Sequence, residues 1–532
     1  MTLSTTRSRP SNVSSALARN RLGIPSVIFF VLSAAAPLTV VAGLVTTGYA
    51  VTGVTGIPLA FLVVAVLLGL FSVGYVAMAR RVANAGAFYA YIARGLGRPF
   101  GVGAAWVALI AYNALQVGLY GAIGAAAAPV IDQWFGLRTE WWVVALVAWA
   151  VVGALGVLRV DVNGMVLAVL LLSEIAIILV FDAANLLRPA GGQLTFDTLA
   201  PGNLLVPGVG AILVLATTGF SGFESAVVFS EESKDPGRTV PVATYLSVAI
   251  IGGLYALSAW AMTVATGPGR IVEVSRAEGT EVIFNLAGAR LGEPIVHIGH
   301  ALFLTSLLAA MISFHNTTAR YAFALGRERV LPAVFGQTSP RTGAPRGGSV
   351  AQTALGLAVI LMYAVAGWDP LVQLFFWGGT VGGFGLLLLI TATSVSVVVF
   401  FVRQPSGEPL WRRVFAPGLA AVALAVIALT ALANFADLLG VGPDSPLRWI
   451  FPLAYLVAAV VGTAWGLALR NRRPDVYATI GLGAERATAL LPLQRAGAGG
   501  APPGDRTTPA DGPASTDGPA STDDPASSGT TR

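Results

Sequence analysis

The sequence predicts an all-α polytopic membrane protein of twelve transmembrane helices, two of them interrupted. Three observations carry that expectation. Of 532 residues, 55% are hydrophobic and 11% charged, with a mean hydropathy of +0.75, whereas a soluble domain carries about 25% charged residues. Apolar runs of the roughly 20 residues that cross a bilayer recur along the chain. Two of these runs are broken midway, at Ser33-Ala34-Ala35-Ala36-Pro37-Leu38-Thr39 and at Thr217-Thr218-Gly219-Phe220-Ser221-Gly222-Phe223-Glu224.

The twelve spans cover about residues 25–53, 57–79, 99–130, 141–160, 163–187, 207–232, 240–266, 295–326, 348–367, 370–402, 413–438 and 447–470. Only Arg159 to Asn163 separates the fourth from the fifth. The polar, basic residues before the first span lead into a run too long for a signal peptide, so that span is expected to stay in the membrane. Arginine placement gives the orientation. With the N-terminus inside, the outer loops hold Arg138, Arg188, Arg270, Arg276, Arg290 and Arg448, six of 32 basic residues. Both termini are therefore expected in the cytoplasm, and the protein in the cytoplasmic membrane.

Between the spans, the inner loop Arg80 to Arg98 has the composition of a short surface helix. The outer loop 267–294 is mixed in charge and expected to be part-helical. The inner stretch Arg327 to Arg346 contains Pro332, Pro340 and Pro345 and is expected to be irregular. After Asn471 the composition turns to Pro, Gly, Ser, Thr and Asp, and residues 511–516 repeat as 517–522. The expected organisation is thus a cytoplasmic N-terminal tail (1–22), a core (23–402), two further helices (403–470) and a disordered, dispensable cytoplasmic tail (471–532).

Composition excludes several functions. There is no cysteine, which rules out disulfides, thiolate metal sites and cysteine nucleophiles. Three histidines (His297, His300, His315) are too few and too scattered for a metal cluster. The net charge of +6 does not indicate nucleic acid, because the basic residues lie between apolar segments rather than in a patch. No nucleophile, metal-ligand set or paired acid and base stands at a spacing that an enzyme needs. Unwound backbone is tolerated in hydrocarbon only where it lines a cavity or is buried in protein. Two interrupted spans in matching places of two halves point to the central site of a secondary transporter.

Three motifs resemble the amino acid–polyamine–organocation transporter superfamily. Gly219-Phe-Ser-Gly-Phe-Glu-Ser-Ala226, continuing through Glu231-Glu-Ser-Lys-Asp-Pro to Pro241, is similar to that family's sixth helix. His315-Asn-Thr-Thr-Ala-Arg320 with Ala324-Leu-Gly-Arg327 and Pro332 is similar to the inner end of its eighth. Ala85-Gly-Ala-Phe-Tyr-Ala-Tyr91 with Gly97 is similar to the segment before its third. The resemblance covers about residues 25–402. It implies two five-helix inverted repeats, helices 1–5 and 6–10, with breaks in helices 1 and 6. The first break departs from the family's common Gly-Xaa-Gly: here Ala34-Ala35-Ala36-Pro37 stands in its place, with Val41-Ala42-Gly43 as the other register. Pro37 frees a carbonyl of the preceding turn, which makes a break physically reasonable there.

A broken helix offers amide N–H groups to a carboxylate and free carbonyls to an ammonium. The candidate substrate cradle is Ala35, Ala36, Pro37, Leu38 and Thr39 on one side and Thr218, Gly219, Phe220, Ser221 and Gly222 on the other; the glycines could equally serve close helix packing. Tyr112 and Gln116 share one helix face and resemble the family's lining residues, though interhelical hydrogen bonding is the other reading. Phe314 fits the family's aromatic over the substrate. Glu224, an ionisable group at membrane depth, is a candidate for gating, amine binding or proton uptake. Glu174 on helix five is a candidate proton acceptor, cation-site member or structural acid. Ser313 and His315, with Asn316 and Thr317, form a polar cluster where a sodium-type site would lie. Arg320, Arg327 and Arg329 face Glu231 and Glu232 as a candidate inner gate.

The expected function is secondary active import of an amino acid, of neutral type, by alternating access with proton coupling. A polyamine or organic-amine transporter, or an amino acid exchanger, is the alternative. No cofactor is expected, the coupling ion being H+. The expected partners are the small-molecule substrate and the lipid bilayer, without nucleic acid; assembly as a homodimer stays open.

Overall fold

The computed structural model describes residues 17, 20–82, 84–158, 160–206, 208–404 and 407–483. Among these the chain is helical, with an isolated bridge between Leu22 and Ser233 in place of any sheet. Among the described residues, eleven helices are long and apolar enough to cross a membrane. The fourth expected span forms the 16-residue apolar helix Trp141–Gly156. At 1.5 Å per residue it is about 24 Å long, short of a hydrocarbon core of about 30 Å.

The spans start where the sequence permits a helix to start. Pro25, Pro58, Pro99, Pro236 and Pro294 each occupy a first turn, where a missing N–H removes no hydrogen bond. The third span, Arg98–Phe135, has 38 residues and packs against the eighth, tenth and twelfth. Its contact with the twelfth, Leu447–Arg472, is set by two small residues: a Cβ on Gly462 would lie 2.8 Å from the Cα of Gly103. Backbones that close give the van der Waals contact that holds helices together where water supplies no driving force.

The loops 80–98 and 327–346 are called inner and the loop 267–294 outer, after the orientation expected from the arginine asymmetry. The outer loop is part-helical as expected, with helices Ile271–Glu278 and Val282–Leu291. The inner stretch after Arg327 is irregular apart from a short 3-10 turn, Ala333–Gly336. The helix in the loop 80–98 is not a surface helix. Ala87–Gly95 buries Phe88, Tyr89, Ala90 and Tyr91 completely, because both faces of its aromatic-rich sequence meet neighbouring spans.

The tail boundary also needs correction. The last span runs to Arg472 and is followed by the helix Pro474–Thr479, so residues 471–483 belong to the folded body. Val476 and Ile480 are buried, the Arg98 guanidinium donates to the Ala478 carbonyl at 3.0 Å, and it lies over the Tyr477 ring. A few apolar residues ahead of a long polar tract suffice to dock this segment. The expectation of disorder for 484–532 falls outside the described residues.

Candidate functional site

The first break follows from Pro37. The helix Ile24–Ala35 ends at Ala36, which adopts left-handed backbone with φ +46°. An unbroken helix would aim the Leu38 N–H at the Ala34 carbonyl. Here that N–H donates to the Glu174 carboxylate instead. The Ala35 carbonyl accepts from the Tyr255 hydroxyl at 2.9 Å. Glu174 is buried, and its Oε1 also accepts from the Ser306 hydroxyl at 2.6 Å. A fifth-span carboxylate thus caps the outer half of the broken first span, a favourable place for negative charge.

The second break is built by glycine. The helix Val209–Gly219 stops, and Gly222 takes φ +108° before a 3-10 turn, Phe223–Val227. That backbone lets the segment lie against the first break: a Cβ on Gly222 would sit 2.4 Å from the Ala34 Cβ. Glu224 is fully buried. Its Oε2 accepts from the Gly222 N–H and its Oε1 from the Tyr112 hydroxyl, each at 2.9 Å, while Tyr75 donates to its carbonyl. Each break therefore carries its own buried carboxylate.

A cavity of about 420 Å³ lies between the breaks. Of the residues expected to bind substrate, Ala35, Ala36, Thr39, Thr218, Gly219, Ser221 and Phe314 line it. The others do not. Pro37, Leu38 and Gly222 shape the breaks from behind. Phe220 packs against Phe61 and Tyr255 on the far side. Tyr112 is turned to Glu224, and Gln116 approaches the Tyr120 hydroxyl at 3.4 Å. Leu115 and Leu119 of the same helix line the cavity instead, a face rotated by about 60°. The cavity rises to Thr280 and Asp437 at the outer end.

The polar cluster of the eighth span is divided. Ser313 donates to the Phe30 carbonyl of the first span at 2.6 Å, and Ser306, two turns away on the same face, reaches Glu174. His315 points elsewhere, with Nε2 2.8 Å from the Ser349 hydroxyl. Sequence spacing carried a signal for Ser306, since residues seven apart share a helix face; Tyr255 left no such signal.

At the inner end Arg320 pairs with Glu232 at 2.5 Å, both almost wholly buried, and Arg327 makes a forked pair with Glu231 at 2.6 and 2.7 Å. Arg329 is exposed, on left-handed backbone. Glu328, next to these pairs, is a buried acid that sequence reasoning passed over.

A polytopic helical bundle with paired, acid-capped breaks around a central cavity defines a transporter of the amino acid–polyamine–organocation superfamily. Within it, the chain belongs to the amino acid permease family, whose model matches residues 22–461. An uncharacterized transporter of Mycobacterium tuberculosis is 27% identical over 434 residues, 80% of this chain and 90% of that protein. A low-affinity putrescine importer of Escherichia coli is 26% identical over 375 residues, 66% and 74% of the two chains. A glutamate/serine transporter of Bacillus subtilis is 24% identical over 217 residues, 40% and 38%. The chain is accordingly a multi-pass membrane transporter of a small molecule, not an enzyme.

Proposed function

We propose that this chain imports a neutral amino acid across the cytoplasmic membrane by alternating access, driven by protons. The observation that carries the reading is the cavity between the breaks. Its 420 Å³ is within the usual range for small-molecule sites, about 300–1,000 Å³. Backbone at Ala34–Ala36 and Thr218–Gly219 offers the polar groups that an α-amino and an α-carboxylate group need. The rest of the wall is apolar, through Leu115, Leu119, Val214, Leu215 and Phe314. Among the described residues the one acid in the lining is Asp437, exposed at the outer rim. A second ammonium would find no buried counter-charge in that wall, which favours a neutral side chain.

The reading includes both termini in the cytoplasm and a core of two inverted five-helix repeats within 23–402. Glu174 is the proton acceptor in it, because it links the first break to the eighth span. The cavity reaches the outer end while the inner pairs are closed, the state in which substrate would enter. The likeness to a putrescine importer favours a second reading, transport of an organic amine. Purified protein in proteoliposomes tests all of this. An inward proton gradient should drive saturable uptake of neutral amino acids, putrescine should compete weakly, and replacing sodium by choline should change little. Accumulation driven by sodium at constant pH would overturn the coupling, and preferential uptake of putrescine the substrate.

A further inference from the structure

Beside the central cavity lies a second chamber of about 340 Å³. The third span supplies one wall with Ala122, Ala126 and Gln133, and the eighth the other with His300, Phe303 and Leu307. Gln133 and Glu281 at its rim are exposed at the outer end, and the His300 ring nitrogen Nε2 is 3.0 Å from Glu281. Its inner end is Thr39. The chamber and the central cavity adjoin and share Thr39, Gly43, Thr280, Leu371 and Phe375, but Ala34–Ala36, Thr218, Gly219 and Phe314 line only the latter, and Ala126 and His300 only the former.

From Thr39 a hydrogen-bonded chain leads to the buried acid. The Thr39 and Ser306 hydroxyls are 3.2 Å apart, and Ser306 Oγ donates to Glu174 Oε1 at 2.6 Å. A hydroxyl has one proton to donate. That of Ser306 is committed to Glu174, so Thr39 is the donor to Ser306, and the whole chain is oriented toward the carboxylate. The second oxygen of Glu174, Oε2, is buried without a partner. Leu38 caps Glu174 from the first span, and Tyr255 faces it from the seventh. Asp182 lies two turns along the same helix and takes the Ser258 hydroxyl at 2.7 Å. Among the described residues no ion pair holds Glu174.

We propose that this side chamber is the water-filled proton entrance to Glu174, running beside the pocket that holds the substrate rather than through it. The inference rests on the proton-coupled reading above and deepens it. A hydrated proton in the chamber gives one proton to Thr39 Oγ1 as Thr39 passes its own to Ser306 Oγ and Ser306 its own to Glu174 Oε1. Water is left behind, both hydroxyls regain a proton, and Glu174 becomes a neutral carboxylic acid. One proton has moved inward and no bond to carbon has changed. Neutralising Glu174 weakens its hold on the Leu38 N–H, and so connects proton arrival to the first break.

Substrate-driven proton uptake into proteoliposomes, read with an internal pH dye, tests the route. Thr39→Val keeps the shape and removes the hydroxyl, Thr39→Ser keeps the hydroxyl, and Ala126→Trp fills the chamber from a position that does not line the cavity. We expect uptake to slow by about tenfold or more in Thr39→Val and Ala126→Trp, and Thr39→Ser to recover most of what Thr39→Val loses. Substrate affinity in Ala126→Trp should change by less than about threefold. Wild-type proton uptake in Thr39→Val, with Glu174→Gln uncoupled, would overturn the route and leave Glu174 in place. Proton uptake that persists in Glu174→Gln would instead remove the coupled reading itself.

Discussion

Glu328 and Gly481 lie 153 residues apart, and the Gly481 N–H donates to the Glu328 carboxylate at 2.6 Å. The Gly483 N–H joins it at 2.7 Å, the Asn84 amide at 2.9 Å, and the Tyr89 hydroxyl makes a fourth bond. One buried acid at the end of the eighth span therefore ties the loop before the third span to the segment after the twelfth. Gly481 has φ +79° and Gly483 φ +57°, backbone that turns successive N–H groups onto one carboxylate. Truncation after Gly483 should leave thermal stability in detergent close to wild type. Truncation after Arg473 removes two donors from a buried charge and should cost about 2–4 kcal/mol. Equal melting of the two truncations would show that the contact contributes nothing.

The same acid gives a pH signature. Burial pushes the Glu328 carboxyl above the usual range, opposed by its bonds to Tyr89, Gly481 and Gly483 and by the Arg327 guanidinium. A carboxyl raised on folding holds its proton more tightly in the folded state. Its contribution is full below the unfolded value of about 4.3 and is lost as pH rises through the folded value. Glu328→Gln cannot titrate, so its stability should fall less than wild type as pH is raised from about 4.3. Parallel pH–stability curves for the two proteins would contradict this.

Glu224 accepts from two donors on different elements, and a glutamine there must turn its NH2 toward one of them. Glu224→Gln should insert normally yet lose about tenfold or more in uptake, the effect of roughly 1.4 kcal/mol. Tyr112→Phe removes one donor and should lose less. Normal uptake by Glu224→Gln from pH 5 to 8 would end the case for this carboxylate in transport.

Gly222 tests whether the two breaks must touch. Alanine would bring left-handed strain of about 1–2 kcal/mol and a Cβ only 2.4 Å from that of Ala34. Both effects push the segments apart. Substrate binding in Gly222→Ala, read by thermal shift, should be largely lost, whereas Gly219→Ala meets side chains no nearer than 3.1 Å and should keep more of it. Equal affinity in the two variants would mean that the close approach is incidental.

Much of the fold was legible because hydropathy measures what a bilayer selects. The spans, the part-helical outer loop and both breaks follow from apolar length, proline and glycine. The site was legible only in part. Periodicity told that Tyr112 and Gln116 share a face but not which way the face turns, and the structure turns Leu115 and Leu119 to the cavity. The partnership of Leu38, Ser306 and Glu174 joins three spans, and no local pattern reports a contact of that range. Glu328 was hidden for the same reason. Two of its four partners are backbone N–H groups of a tail whose average composition reads as unstructured.

The inner seal gives a test that separates stability from gating. Arg320 and Glu232 are each about 1% exposed and joined at 2.5 Å, with the guanidinium 4.9 Å from the centre of the Phe229 ring. Removing one partner leaves the other charge buried, which costs about 3–5 kcal/mol, whereas replacing both by apolar groups of similar size is near neutral. Glu232→Gln should therefore lower expression and melting temperature, and Arg320→Met with Glu232→Leu should restore both. If the pair also holds the inner face shut, the double variant should remain inactive in uptake despite its stability. The chain has no cysteine, so a single cysteine at Ser230, buried beside the pair, reports on access from the inner side. In the double variant it should react with a membrane-impermeant maleimide faster than in wild type, by about tenfold for a shift of 1.4 kcal/mol between closed and open states. A double variant that is stable, transports normally and protects this cysteine as wild type does would make the pair a structural contact and nothing more.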